Sequence, residues 1–164
     1  MSQGVSETPA AAIIDDIDHH LAVAGTIDRA AVLPGIFFAW CANLSLLASD
    51  VVLEYERELL RLRFRDMKPG EFFIKVTGGR LSSDYLSERG RLFALDHYAG
   101  YPTEFADALG VSADAVYDVA DSWDSYDPVA KRLTAAYYAF ADAGHKPHKP
   151  RRHWWQIWRE EDAQ

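Results

Sequence analysis

AAVLPGIFFAWCANLSLLAS, residues 30–49, decides how this chain folds, because it runs for twenty residues without a charged side chain. That is the length an α-helix needs to cross a bilayer. Two features count against a span. Pro34-Gly35 interrupts the run near its start, and Asn43, Ser45 and Ser49 dilute its end. The uninterrupted apolar core is then about ten residues, half of the roughly twenty a span requires, so the stretch reads as the buried central helix of a globular domain. Pro34 either kinks a helix begun upstream or occupies the first turn of a new one. Either way Ile36, Phe37, Trp40 and Leu44 share an inward face. Cys41, the single cysteine, lies in the same run; it excludes an intramolecular disulfide and reads as a small core residue.

Working outward, most of the chain has helical patterning. Ile13, Ile14, Ile17 and Leu21 follow helical spacing, with Asp15, Asp16 and Asp18 on the opposite side. Gly25 ends that element, and Thr26 or Asp28 caps the next. Residues 50–65 read as a surface helix capped by Asp50. Its inward residues are Val51, Leu53, Leu59 or Leu60, and Phe64, and Glu54–Arg57 and Glu58–Arg61 are spaced to bridge on its surface. KPGEFFIKVTGG reads as a helix from Pro69 to the Gly78-Gly79 stop, although FFIKVT also suits a strand. LSSDYLSERGRLFALDHY starts at Ser82 or Ser83 and turns Leu86, Leu92, Phe93 and Tyr98 inward; Gly90 within it suggests a close contact. YPTEFADALG is a weaker element. Asp127-Pro128 is a start signal for DPVAKRLTAAYYAF, with Asp as N-cap and Pro in the first helical position.

The fold class is therefore mostly α: a single compact helical domain, residues 13–142, of about six to eight helices with room for one short hairpin. A mobile leader, residues 1–12, without the cationic start of a secretory signal, and a basic, Trp-rich C-terminal extension, residues 143–164, flank it. The cytoplasm is the expected compartment. Residues 1–141 carry 12 basic and 21 acidic side chains, a net −9, whereas residues 142–159 hold five bases and one acid. An acidic body argues against nucleic-acid binding through the domain itself. The tail KPHKPRRHWWQIW combines bases and aromatics, which suits RNA or an anionic membrane surface, or docking back onto the acidic body.

VYDVADSWDSYDP, residues 116–128, together with Asp114 places five acids and no base in fourteen residues. In one continuous helix Asp114, Asp118, Asp121, Asp124 and Asp127 would crowd together, and their mutual repulsion would call for a hard cation. The spacing matches no calcium loop, so no metal is assigned. The alternative splits the segment, with Asp121 and Asp127 as helix caps and Asp118 and Asp124 at the surface. His19, His20, His97 and the tail histidines His145, His148 and His153 lack metal-motif spacing. No phosphate-cradling glycine loop or serine-nucleophile elbow is present, and no cofactor is expected.

WCANLSLLAS, DMKPGEFFIKVTGGRLSSDYLSERGRLFALDHYAGY and VYDVADSWDSYDPV, in that order, resemble the bacterial domain of unknown function 7832 family. The matching positions include Trp40, Pro69, Glu71, Phe72, Leu86, Gly90, Phe93 and Tyr98, then Tyr117, Val119, Asp121, Ser122, Trp123, Tyr126 and Asp127. The resemblance spans roughly residues 13–140. Where members commonly have His-Ile-Gly this chain reads Leu33-Pro34-Gly35, and the basic tail lies past the usual end. The resemblance implies a small cytoplasmic protein without assigned catalysis, and by analogy an immunity or antitoxin-type protein.

On that reading the domain occludes a cognate, basic toxin through Asp118, Asp121, Trp123, Asp124 and Tyr126, steered by charge and anchored by aromatics. The alternative is a small ligand- or metal-binding domain, or an enzyme, that uses the acids with His19, His20 or His97.

Overall fold

The structure, a computed structural model, describes residues 11–144. Readings placed on residues 1–10 and on the tail from residue 145, its histidines and tryptophans included, lie outside the described residues. The architecture is mostly α. In chain order the described elements are strand β1 (Ile13–Asp16), α1 (Asp18–Ala24), α2 (Ile27–Ala30), α3 (Val32–Asn43), α4 (Ser49–Glu54), α5 (Glu56–Arg63), α6 (Pro69–Thr77), strand β2 (Arg80–Ser82), α7 (Glu88–His97), α8 (Tyr101–Leu109) and α9 (Trp123–Asp142). Three 3-10 helices, Ser83–Tyr85, Tyr98–Gly100 and Ala113–Asp118, complete them.

The apolar run forms α3, and it is buried on every side: each residue from Val32 to Ala42 is covered. Pro34 sits in the first turn, where its missing N–H leaves no bond unmade. Among the described residues no helix is long and apolar enough to cross a membrane. The rings of Phe37 pack with Trp40, Phe93, Tyr98 and Tyr101, and those of Phe38 with Phe72, Phe73 and Tyr85. Cys41 is fully enclosed, and burial drives its thiol far above the usual range, so it is inert.

α6 is the principal neighbour of α3, and their crossing is made possible by glycines. A Cβ on Gly35 would lie 2.7 Å from Gly70 Cα, so the two backbones touch where neither helix has a side chain.

Several local expectations hold. Gly25 and Gly78 end α1 and α6 in the left-handed conformation, at φ 83° and 68°. The Thr26 hydroxyl caps α2 by accepting from Arg29 N–H at 3.3 Å. Gly90 marks a close approach, its Cβ position lying 2.5 Å from Leu46 O.

Other expectations are corrected. Ile13–Asp16 is a strand, antiparallel to β2 with Asp15 opposite Leu81. Its period of two turns Asp15 inward, 6% exposed, where helical spacing would have left it outside. The helix expected over 50–65 breaks at Tyr55 (φ −112°, ψ 32°) into α4 and α5, and Ala48, not Asp50, holds its N-cap position. Val51, Leu59 and Leu62 face the core, whereas Leu53 and Phe64 are 79% and 81% exposed. Arg61 turns to Asp66, 3.2 Å away, rather than to a glutamate. Ser82 precedes only a 3-10 turn; the cap of α7 is Ser87, whose hydroxyl accepts from Gly90 N–H at 3.2 Å, and Leu92 is exposed.

The last helix begins at Trp123, ahead of Asp127-Pro128, because Ser122 provides the cap: its hydroxyl accepts from Ser125 N–H at 3.2 Å. Pro128 therefore lies inside α9, and Asp127 caps nothing.

Candidate functional site

The acid-rich segment forms no continuous helix. The 3-10 helix Ala113–Asp118 gives way to extended chain at Val119, and α9 starts only after Ser122, so the carboxylates are drawn apart. Three of them serve as joints to three different parts of the fold. Asp118 accepts a hydrogen bond from the Arg29 guanidinium in α2, and Arg29 Nε also donates to the Tyr117 carbonyl at 2.9 Å.

Asp121 reaches the N-terminus of α6. Its Oδ1 accepts from Gly70 N–H at 2.8 Å, and the neighbouring Glu71 N–H also favours the ionised carboxylate. Pro69 has no N–H and Phe72 N–H already bonds to Lys68 O, so Asp121 satisfies a free donor of that helix end. Burial raises its carboxyl above the usual range, countered in part by the two N–H groups and Lys68.

Asp127 forms a two-pronged pair with Arg65, at 2.7 and 3.1 Å, which holds its carboxyl below the usual range. The Arg65 guanidinium lies over the Trp123 ring, 4.7 Å from its centroid. Trp123 meets Tyr126 edge-on at 4.8 Å. Tyr126 is buried, and its hydroxyl accepts from Asn43 Nδ2 at 2.8 Å. Of the expected contact residues, then, Asp121 and Tyr126 are internal joints, Asp118 is exposed but clamped, Trp123 is half-buried, and Asp124 is exposed together with Asp114. Among the described residues no three His, Cys, Asp or Glu side chains converge as a metal site would require.

The histidines separate. His19 is exposed, and His97 pairs with Glu104 at 3.0 Å and stacks on Phe93. His20 belongs to a relay that the sequence did not reveal. Its Nε2 lies 2.7 and 2.8 Å from the two carboxylate oxygens of Asp15, and its Nδ1 lies 2.5 Å from the Tyr117 hydroxyl. The Tyr98 hydroxyl donates to the same carboxylate, and Asp16 N–H donates to it at 2.8 Å. Asp15 is thus buried with donors around it, as a buried carboxylate must be. Burial and then the Asp15 charge push both phenols upward, Tyr98 strongly and Tyr117 less so; both stay protonated at neutral pH.

Tyr117 and His20 line an open cleft of about 450 Å³ whose walls include Leu33, Ala106, Val111 and Val116. The volume is in the range of small-molecule sites. A second cleft of about 460 Å³ is lined by Asp28, Glu71 and Asp121 together with Lys68 and Lys75, so charges of both signs face it.

The relay had one legible trace, the adjacency of Asp15 and His20 in a short segment. What hid it was the strand, which inverts Asp15, and the distance to Tyr117, 97 residues from His20 in sequence.

Neither curated proteins nor solved structures show a significant match to the chain. A family match covers residues 13–119, which includes Asp15, His20, Tyr98, Tyr117 and Asp118. It ends short of residue 140, so that Asp121, Trp123, Asp124 and Tyr126 lie beyond it. That match takes in well over half of the sequence, and the chain belongs to the family described as Domain of unknown function (DUF7832).

Proposed function

We propose that this chain is a bacterial, cytoplasmic immunity or antitoxin-type protein that binds a basic toxin and occludes its active site. The observation that carries the reading is the mounting of the acidic segment. Arg29, the α6 N-terminus and Arg65 each grip a carboxylate, and Ala120 and Asp124 between them are exposed. A segment fixed in this way loses little conformational freedom on binding, and pre-organisation of that kind favours tight inhibition. Asp114, Asp118 and Asp124 form its charged rim, and half-buried Trp123 supplies an aromatic anchor of the type that dominates binding energies. The net −9 of residues 1–141 steers a basic partner toward it.

Contact is assigned to Asp118, Trp123 and Asp124, while Asp121 and Tyr126 hold the segment in shape. The test is co-purification with the product of the neighbouring gene, followed by assay of its toxicity. Asp124→Lys is expected to slow association, and Trp123→Ala to weaken the complex by about 2 kcal/mol. Undiminished inhibition by both variants, or no complex at all, refutes the reading.

A further inference from the structure

We propose that the cleft lined by Tyr117 and His20 is a binding site for a small organic amine with an apolar body. The inference is separate from the toxin-binding reading and uses other side chains.

Its first support is the state of the Tyr117 hydroxyl. Nε2, 2.7 Å from the Asp15 carboxylate, carries a ring proton toward it, because a carboxylate has nothing to donate, and we assign the other ring nitrogen as unprotonated. Nδ1 is then an acceptor, and the Tyr117 O–H, 2.5 Å from it, spends its single hydrogen there. The phenol oxygen then has only lone pairs left to offer, and since Tyr117 lines the cleft its partner from the ligand is a donor. Tyr98, on the far side of Asp15, keeps the carboxylate in place and fixes the direction of the whole chain of bonds. Asp15 and His20 act as positioning residues; Tyr117 makes the contact.

The second support is charge. Among the described residues lining the cleft none is Lys or Arg, and Asp107, which lines it, is exposed. Asp15 behind His20 adds a second carboxylate to Asp107, an arrangement that favours a cation over carboxylates and phosphates. The third is the wall. Leu33, Ala106, Val111 and Val116 offer an apolar surface, so the part of the ligand away from its ammonium group is hydrocarbon or aromatic. Donor, positive charge and apolar body together describe an amine.

The experiment titrates the whole chain with 2-phenylethylamine, 2-phenylethanol and phenylacetate, three probes of similar size that carry a cation, a neutral donor and an anion. Amide resonances of residues 111–118 and the His20 ring signals report on the site, and calorimetry supplies affinities. The amine is expected to shift these signals saturably and to bind best, the alcohol more weakly, and phenylacetate not at all. Tyr117→Phe should weaken the amine about tenfold, the usual effect of losing one hydrogen bond to a charged donor. Asp107→Asn, which changes only an exposed side chain and keeps the fold, should weaken it about threefold, in line with a partly screened charge. The proposal is overturned if millimolar amine leaves these signals unmoved, if phenylacetate binds as well as the amine, or if both variants bind the amine like the parent chain.

Discussion

Asp121 offers the sharpest test of how this fold is joined, because its carboxylate and its charge make opposite contributions. The carboxylate accepts from Gly70 N–H, a group that would otherwise be unbonded at a helix end, and is further favoured by the Glu71 N–H; loss of such a cap costs about 0.5–2 kcal/mol. Asp121→Ala is therefore expected to destabilise the domain by about 1–2 kcal/mol. The charge acts differently. Burial outweighs the N–H donors and raises the carboxyl above its ordinary value, so the ionised form is less favourable here than in the unfolded chain. The stability this group contributes is complete below the unfolded-state value near 4 and declines as pH rises through the raised folded value.

Asn has nearly the same shape and keeps an acceptor oxygen without the charge. Asp121→Asn should lie within about 0.5 kcal/mol of the parent at pH 7, the scale of an exposed helix-end charge effect. It should also remove this residue's share of the pH dependence. Urea titrations of the three proteins at pH 4 and pH 7, with equal slopes required for a valid comparison, measure both effects. If Asn costs as much as Ala, the joint depends on charge and the acceptor argument fails.

Gly35→Ala should destabilise the fold although it improves helix propensity by about 1 kcal/mol, since its Cβ would sit 2.7 Å from Gly70 Cα and overpacking costs about 1–3 kcal/mol; thermal unfolding gives the sign. Leu62→Ala, at a fully buried position, should cost about 2–5 kcal/mol, whereas Phe64→Ser, at an exposed one, should stay within about 0.5 kcal/mol, as read from denaturant midpoints. Arg65 lowers the Asp127 carboxyl, so that pair stabilises above the unfolded value and its contribution is lost as pH falls through the lowered folded value. Both partners are about half exposed, which limits the effect to below about 1 kcal/mol, measurable as the difference between Asp127→Asn and the parent at pH 7 and pH 3.

The parts of this fold legible in the sequence are those fixed by near neighbours. Gly25, Thr26, Pro69 and Gly78 do their work within one helical turn, and the uncharged run 30–49 encodes burial by composition alone. The parts that were hidden depend on partners far along the chain. Ile13–Asp16 becomes a strand only because Arg80–Ser82 lies beside it, and its apolar spacing over four residues suits helix and strand alike. Asp127-Pro128 has the form of a helix start, but Ser122 caps five residues earlier and Arg65, 62 residues away, takes the carboxylate.

In the acidic segment the sequence showed the clustering and not the division of labour. Asp121 was recognised as a capping residue, yet the helix it caps is α6, 51 residues upstream. Local spacing reports how crowded the charges would be in one helix; which of them find donors is decided by the packing of other elements.

The two proposed sites meet in the 3-10 helix Ala113–Asp118. Tyr117 lines the cleft and Asp118, the next residue, belongs to the acidic rim; the Arg29 guanidinium holds the carbonyl of the first and the carboxylate of the second. A ligand that displaces Tyr117 therefore acts on the same peptide unit that presents Asp118 to a partner. By linkage, the factor by which amine changes partner affinity must equal the factor by which partner changes amine affinity. Arg29→Ala breaks the clamp without removing a residue of the cleft wall or the aromatic anchor, so it should bring that factor closer to one, whatever its effect on either affinity alone. Partner affinities measured with and without 2-phenylethylamine, in the parent and in Arg29→Ala, decide the matter; equal factors in the two proteins would show that this turn does not connect the sites.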